Sequence, residues 1–291
     1  MHLLFESIGF GLVTASVIAL AAVGLSLQVS VTNYINFAYG DFMTFGAYVA
    51  YSVGAAGVNF FLAAAVGGAV TGLLGLAANL AVFRSFIERK ARLITLLVVT
   101  LGVSLILQNA IVVIWGTGAY RYPIRMGNAL HLGPFILTPG AIILILLAAL
   151  LMFGLHLFLQ YTRFGKAFRA VSNNNDLALA SGIDVNRVVN WTWVVSGFFA
   201  GIAGVGLVLE TNTLRPVVGF NELFLVFAAI IMGGIGRPYG AMLGALAIGL
   251  ATEVSGMFVD SAYKSAIAFG ILVAVLVLRP QGIFASRGRT D

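Results

Sequence analysis

The chain has 291 residues, of which 60% are hydrophobic and only 9% charged, with a mean hydropathy of +1.04; a soluble domain is usually about a quarter charged. Its apolar runs are continuous, unlike the alternating short strands of a membrane β-barrel, and longer than an ordinary soluble core helix. The net charge of +6 does not imply nucleic acid, because the basic residues cluster in short loops, as membrane orientation requires. The expectation is an all-α polytopic membrane protein with about eight or nine transmembrane helices, including broken or re-entrant segments, in one domain over 1–291.

Apolar tracts place spans near 8–28, 40–56, 60–83, 93–114, 138–160, 189–209, 221–235, 240–257 and 264–278. The short tracts 40–56 and 221–235 are candidates for half-helices or re-entrant segments. No Lys or Arg precedes Arg84, so the first run lacks the basic flank of a cleaved signal peptide and reads as helix 1. Cysteine is absent, which removes disulfides, a thiol nucleophile and thiolate metal ligands. The 35 glycines suit close helix approach in lipid, most densely in AAAVGGAVTGLLGLAA, residues 63–78.

With nine spans, one side receives 12 basic residues, from Arg84 through Arg163, Lys166, Arg169, Arg187 and Arg237 to Arg289. The other receives four, Arg121, Arg125, Arg215 and Lys264. The richer side is expected to be cytoplasmic, with the N-terminus outside and the C-terminus inside. Loop 116–138, with Tyr120, Tyr122, Pro123, His131 and Pro134, is then external, either a plain connection or a partner contact.

Asp41 is the only Asp, Glu, Lys, Arg or His between Glu6 and Arg84. An intramembrane carboxylate usually faces a cavity or a partner. Asn33, Asn36, Tyr39 and Gly40 beside it suggest a broken helix, and irregular backbone at depth is tolerated when it lines a cavity or is buried in protein. Asn33, Asn36, Tyr39 and Asp41 are therefore substrate-pathway candidates. The alternative is an interfacial turn in which Asp41 caps the next helix.

Residues 161–188 form a charged island between tracts 138–162 and 188–209, which hold no Asp, Glu, Lys or Arg. Arg163, Lys166 and Arg169, three apart, share a helix face. Asn173, Asn174 and Asn175 are N-cap candidates. Asp176 suits the first turn of the following helix, and Gly182 its C-terminal stop. A helix of about two turns with an apolar side is marginal alone, so it either docks into a partner or lies amphipathically on the bilayer. Arg163, Gly165, Arg169, Asn174, Asp176, Leu177, Ala180 and Gly182 are the candidates for coupling to a soluble partner.

Gly233–Gly240, with four glycines and a proline, breaks the helix and sets Arg237 at the inner headgroups. No glycine-rich stretch ends in the GK[ST] of a phosphate loop; Gly165-Lys166 is followed by Ala167. Asn79, Gln108, Asn109 and Thr192 are expected to bond between helices, His156 to be packed, and Glu210, Glu222 and Glu253 to lie at the external interface. The three His are too scattered for a metal site, no cofactor is expected, and no nucleophile–base–orienter set stands out.

These motifs carry a resemblance. INFAYGDF (35–42), with GAYVA after it, resembles the INFAHGEF-type signature of branched-chain amino acid ABC transporter permeases. RLITLLVVTLGVSLILQN (92–109) resembles their segment after the first cytoplasmic loop. The island resembles their coupling loop through Thr162, Arg163, Gly165, Ala167, Arg169, Ala170, Asn174, Ala178, Gly182 and Ile183. GGIGRPYGAMLGALAIG (233–249) and LRPQGIF (278–284) complete the match, nearest the LivH type. Tyr39 and Asp41 stand where His and Glu are common, and the family also takes in urea and short-amide permeases. The resemblance implies a multi-pass inner-membrane subunit, itself not an enzyme. Its implied partners are a second, LivM-type permease, two ABC ATPase subunits, a periplasmic substrate-binding protein and the lipid bilayer, with no nucleic acid. Rival readings are a stand-alone secondary transporter or channel, which needs several buried carboxylates, and a membrane enzyme, which needs a clustered polar site.

Overall fold

The computed structural model describes residues 2–122, 130–132, 135–257 and 263–278. The helices are α1 (His2–Thr32), α2 (Tyr39–Ala55), α3 (Phe60–Ala78), α4 (Arg84–Glu88), α5 (Leu93–Trp115), α6 (Pro139–Tyr161), α7 (Arg163–Asn173), α8 (Asn175–Ala180), α9 (Val185–Thr211), α10 (Val218–Gly233), α11 (Pro238–Ser255) and α12 (Lys264–Leu278). A π turn over Asn79–Phe83 joins α3 to α4. Strands β1 (Leu130–Leu132) and β2 (Phe135–Leu137) form a small antiparallel ribbon in the expected external loop.

Each apolar tract carries a helix, with shifted ends. α1 runs past residue 28 to Thr32, and α9 starts at Val185 rather than 189. Capping sets the latter boundary, since Asp184 accepts from the Arg187 N–H at 3.0 Å. Among the described residues, five helical stretches are individually long and apolar enough to cross a bilayer: Glu6–Thr32, Phe60–Glu88, Leu93–Trp115, Pro139–Tyr161 and Val185–Thr211. α10 and α11 are instead bent by 120° at a short break, as a re-entrant hairpin or broken span would be. Gly234 (φ +101°) and Gly236 (φ +75°) make that break in a region of backbone space that favours glycine.

α1 and α9 form the centre, each with 83% of its apolar window buried; α5 and α6, at 22%, are peripheral. The central helices approach closely because they present glycine. On α9, a Cβ added at Gly204 would strike the Met43 carbonyl of α2, and one at Gly201 would lie 2.8 Å from the Gly68 Cα of α3. In lipid no hydrophobic force separates packed from unpacked helices, so such contact supplies much of the cohesion.

Candidate functional site

The chain breaks at the C-terminal end of α1. Asn33 takes a left-handed conformation (φ +57°), and helix resumes only at Tyr39. Asn36 closes the turn by accepting from the Ala38 N–H at 3.0 Å. Asn36, Tyr39 and Asp41 are fully buried, whereas Asn33 is exposed. The four candidates therefore divide. Asn33 lines a cavity of about 480 Å³ with Ser30, Ser172 and Arg237, and the other three point into the bundle.

Within the bundle, Tyr39 donates from its hydroxyl to the Ser196 carbonyl of α9 at 3.1 Å. Asp41 sits in the first turn of α2, where its charge suits the helix dipole. Its Oδ2 accepts from the Ser104 hydroxyl of α5, which in turn accepts from Gln108 Nε2 at 3.3 Å. Asp41 Oδ1, Asn36 Nδ2 and Gln28 Nε2 are buried without a hydrogen-bond partner among the described residues. Asp41 thus occupies the first turn of α2 without capping it, since no side chain caps the start of that helix, and its carboxylate bonds across to α5 instead.

The start of α10 meets the start of α2 at the same depth. Thr44 donates to the Gly40 carbonyl at 3.1 Å and accepts from the Gly219 N–H at 3.0 Å. A side chain at Gly40 would collide with the 219–220 backbone. Two short helices thus direct N-terminal ends, the positive ends of their dipoles, toward the segment that holds Asp41. Sequence reasoning missed Ser104, Thr44 and Ser196; a small hydroxyl in an apolar helix carries no sign of the helix it will meet.

The island forms two helices. Thr162 caps α7 by accepting from the Gly165 N–H at 3.1 Å. A Cβ at Gly165 would run into the Leu159 backbone, so the turn from α6 into α7 requires glycine. Arg163, Lys166 and Arg169 all lie on the exposed face of α7. Arg169 also reaches back to the Leu159 carbonyl at 2.5 Å, placing a cation on the C-terminal end of α6. Asn174 caps α8, accepting from the Leu177 N–H at 2.9 Å, and Asp176 is in its first turn. Gly182 (φ +80°) ends α8 with a paired closure, Gly182 N–H to Leu179 and Ile183 N–H to Ala178, both at 3.0 Å. Ala178 faces inward, while Leu177 and Leu179 are 65% and 64% exposed and Ala180 is exposed beside them.

Several lone polar groups depart from expectation. Asn79 does bond across helices, to Asn190 at 2.8 Å. Asn109 and Thr192 instead bond to carbonyls one turn back in their own helices, as they can without any neighbour. His156 is half-buried, with Nδ1 2.9 Å from the Tyr239 hydroxyl. Thr14 of α1 donates to Glu210 and lies 3.5 Å from Glu253, which interacts electrostatically with Glu222; the three glutamates thus converge on the expected outer side. In the loop after α5, Tyr120 pairs with Leu214 and Tyr122 donates to the Ala47 carbonyl at 2.7 Å. Pro123, Pro134 and the His131 side chain lie outside the described residues. No group of His, Cys, Asp or Glu suited to a metal ion occurs among the described residues.

This architecture, a glycine-packed helical bundle with broken interior helices and an exposed helical pair on its basic face, is that of a multi-pass membrane permease. The family model described as branched-chain amino acid transport system / permease component matches residues 7–276, and the chain belongs to that family. It is 31% identical over 288 residues to the high-affinity branched-chain amino acid transport system permease protein LivH of Escherichia coli, covering 94% of this chain and 92% of that one. It is 30% identical over 287 residues to the corresponding protein BraD of Pseudomonas aeruginosa, covering 94% and 93%. Among solved structures, PsaBC from Streptococcus pneumoniae in complex with Fab has a similar fold, with TM-score 0.51, 15% identity, and 95% and 93% of the chains covered.

Proposed function

We propose that this chain is an inner-membrane permease subunit of an ATP-driven importer for branched-chain or related small amino acids. It would pair with a second permease, take its energy from two ATPase subunits and receive substrate from a periplasmic binding protein. The family supports the subunit reading over a stand-alone carrier. The observation that carries it is α8, a short, doubly capped helix with Leu177 and Leu179 exposed on the basic side of the molecule. Each leucine contributes on the order of 1.5–3 kcal/mol when covered, which gives a small helix a reason to dock.

In this mechanism a closing ATPase displaces α8. The helix is joined rigidly to α7 through Asn174 and to α9 through the Gly182 closure and the Asp184 cap. α7 is fastened to α6 by Thr162 and Arg169, so the push reaches α6 and α9 together. α9 meets α2 and α3 through glycines with no slack, and α2 carries Tyr39 and Asp41. Rotation of α9 would therefore reposition the interior break and open the pathway alternately to either side. The unsatisfied polar atoms there would exchange partners during the cycle. The test is reconstitution with the neighbouring ATPase and binding proteins, followed by uptake of a panel of branched-chain amino acids, other small amino acids, urea and short amides. ATP-dependent uptake of leucine, isoleucine or valine is expected. Uptake confined to urea or amides would reject the substrate, and uptake without ATP would reject the mechanism.

A further inference from the structure

α1 packs against both α6 and α11, and the space left between those two is an apolar groove of about 440 Å³, lined by residues such as Ala15, Ala149, Met152 and Leu246. At one end lies a second cavity of about 360 Å³ that carries Arg169, Arg237, Gln160 and Ser172. Tyr239 and Leu243 line both, so groove and cavity adjoin. Neither has an Asp or Glu among its described lining residues. The polar end lies on the arginine-rich side of the protein, the side expected to face the cytoplasm.

Two further features suit this end to an anion. No side chain caps the start of α11, and Pro238, Tyr239 and Gly240 of its first turn line the cavity. Pro238 has no N–H, so Tyr239 and Gly240 supply the amides of that turn, and with the dipole of the helix N-terminus they favour a phosphate. The Arg169 bonds to Leu159 and Gln160 both come from Nη1, and a guanidinium has five N–H donors. An apolar trough that ends in two arginines on the basic side of the protein has the two-part chemistry of a phospholipid.

We propose that the groove between α6 and α11 binds an anionic phospholipid of the inner leaflet. Its phosphate sits between Arg169 and Arg237 at the start of α11, and an acyl chain lies along Ala15, Ala149 and Met152. The lipid would then brace α6 against α11, beside the turn that joins α6 to α7.

The test uses the full chain purified in mild detergent, with native mass spectrometry and thermal unfolding as readouts. The probes are dioleoyl phosphatidylglycerol, dioleoyl phosphatidylcholine and glycerol 3-phosphate. Phosphatidylglycerol is expected to be retained over phosphatidylcholine and to raise the unfolding temperature. Arg237→Ala should weaken its retention about tenfold, or about 1.4 kcal/mol, the size of one charge-assisted contact. Ala149→Phe fills the groove without touching either arginine and should weaken phosphatidylglycerol binding as well. Equal retention of the two lipids, or indifference to both substitutions, overturns the proposal. Equal stabilisation by glycerol 3-phosphate also overturns it, as the site would then be one for free anions. Loss of the lipid when the chain assembles with a second permease would make the groove a subunit interface and overturn it too.

Discussion

Ser104 of α5 donates its hydroxyl hydrogen bond to Asp41 of α2, which anchors a peripheral helix to the only carboxylate side chain between Glu6 and Arg84. α5 contacts its neighbours chiefly through α2, so this bond matters to its placement. Ser104→Ala would leave Oδ2 buried without its donor, at a cost of about 1–3 kcal/mol, and should lower the unfolding temperature in detergent. Asp41→Asn keeps the shape and an acceptor for Ser104 but removes the charge. Uptake should fall while membrane level and assembly hold; unchanged uptake would reduce Asp41 to a fastening for α5.

Gly165→Ala should disable the transporter through geometry alone. The added methyl meets the Leu159 backbone, which cannot yield without unwinding the end of α6. We expect insertion to survive, α7 and α8 to be misplaced, and uptake to be lost. Protease sensitivity of the island should rise, and wild-type sensitivity with wild-type uptake would refute this account.

Ala180→Glu sets a charge beside Leu177 and Leu179 on the exposed surface of α8. If an ATPase covers that surface, the carboxylate is buried without a partner, which costs more than the lost contact. Either the ATPase no longer co-purifies, or it stays and its hydrolysis no longer drives uptake. Full retention with normal uptake would remove residues 174–182 from the coupling role.

Gly204→Val tests the tight crossing of α9 and α2. Overpacking a close contact typically costs about 1–3 kcal/mol, and here the obstacle is the Met43 backbone. A clear drop in unfolding temperature is expected, while Gly102→Val, on an open face of α5 with nothing within 4 Å, should leave it unchanged. Equal effects would mean that the close approach is unimportant.

Orientation follows from the distribution of arginine and lysine. A reporter fused after Asp291 should be active in the cytoplasm, and a tag inserted near Gly118 should be labelled from outside. The reverse pattern at both sites would invert the whole scheme.

By itself the sequence determined the class of protein, the position of nearly every helix and the caps of the island. Those are local matters: twenty apolar residues need a bilayer whatever surrounds them, and Asn174, Asp176 and Gly182 act within a turn of their own position. The motif set was specific enough to mark the family. What only the tertiary structure decided was everything that depends on which helices touch. The partners of Asp41, Thr44 and Tyr39 come from helices as far as 175 residues along the chain, and no local pattern encodes the pairing. The same holds for the glutamates around Thr14 and for Arg169, which read as an exposed charge and proved to fasten α7 to α6. The 120° bend between α10 and α11 was legible as a break in Gly233–Gly240 but not as a reversal. A run of glycines frees the backbone, and only packing against α1 and α2 selects the direction it takes.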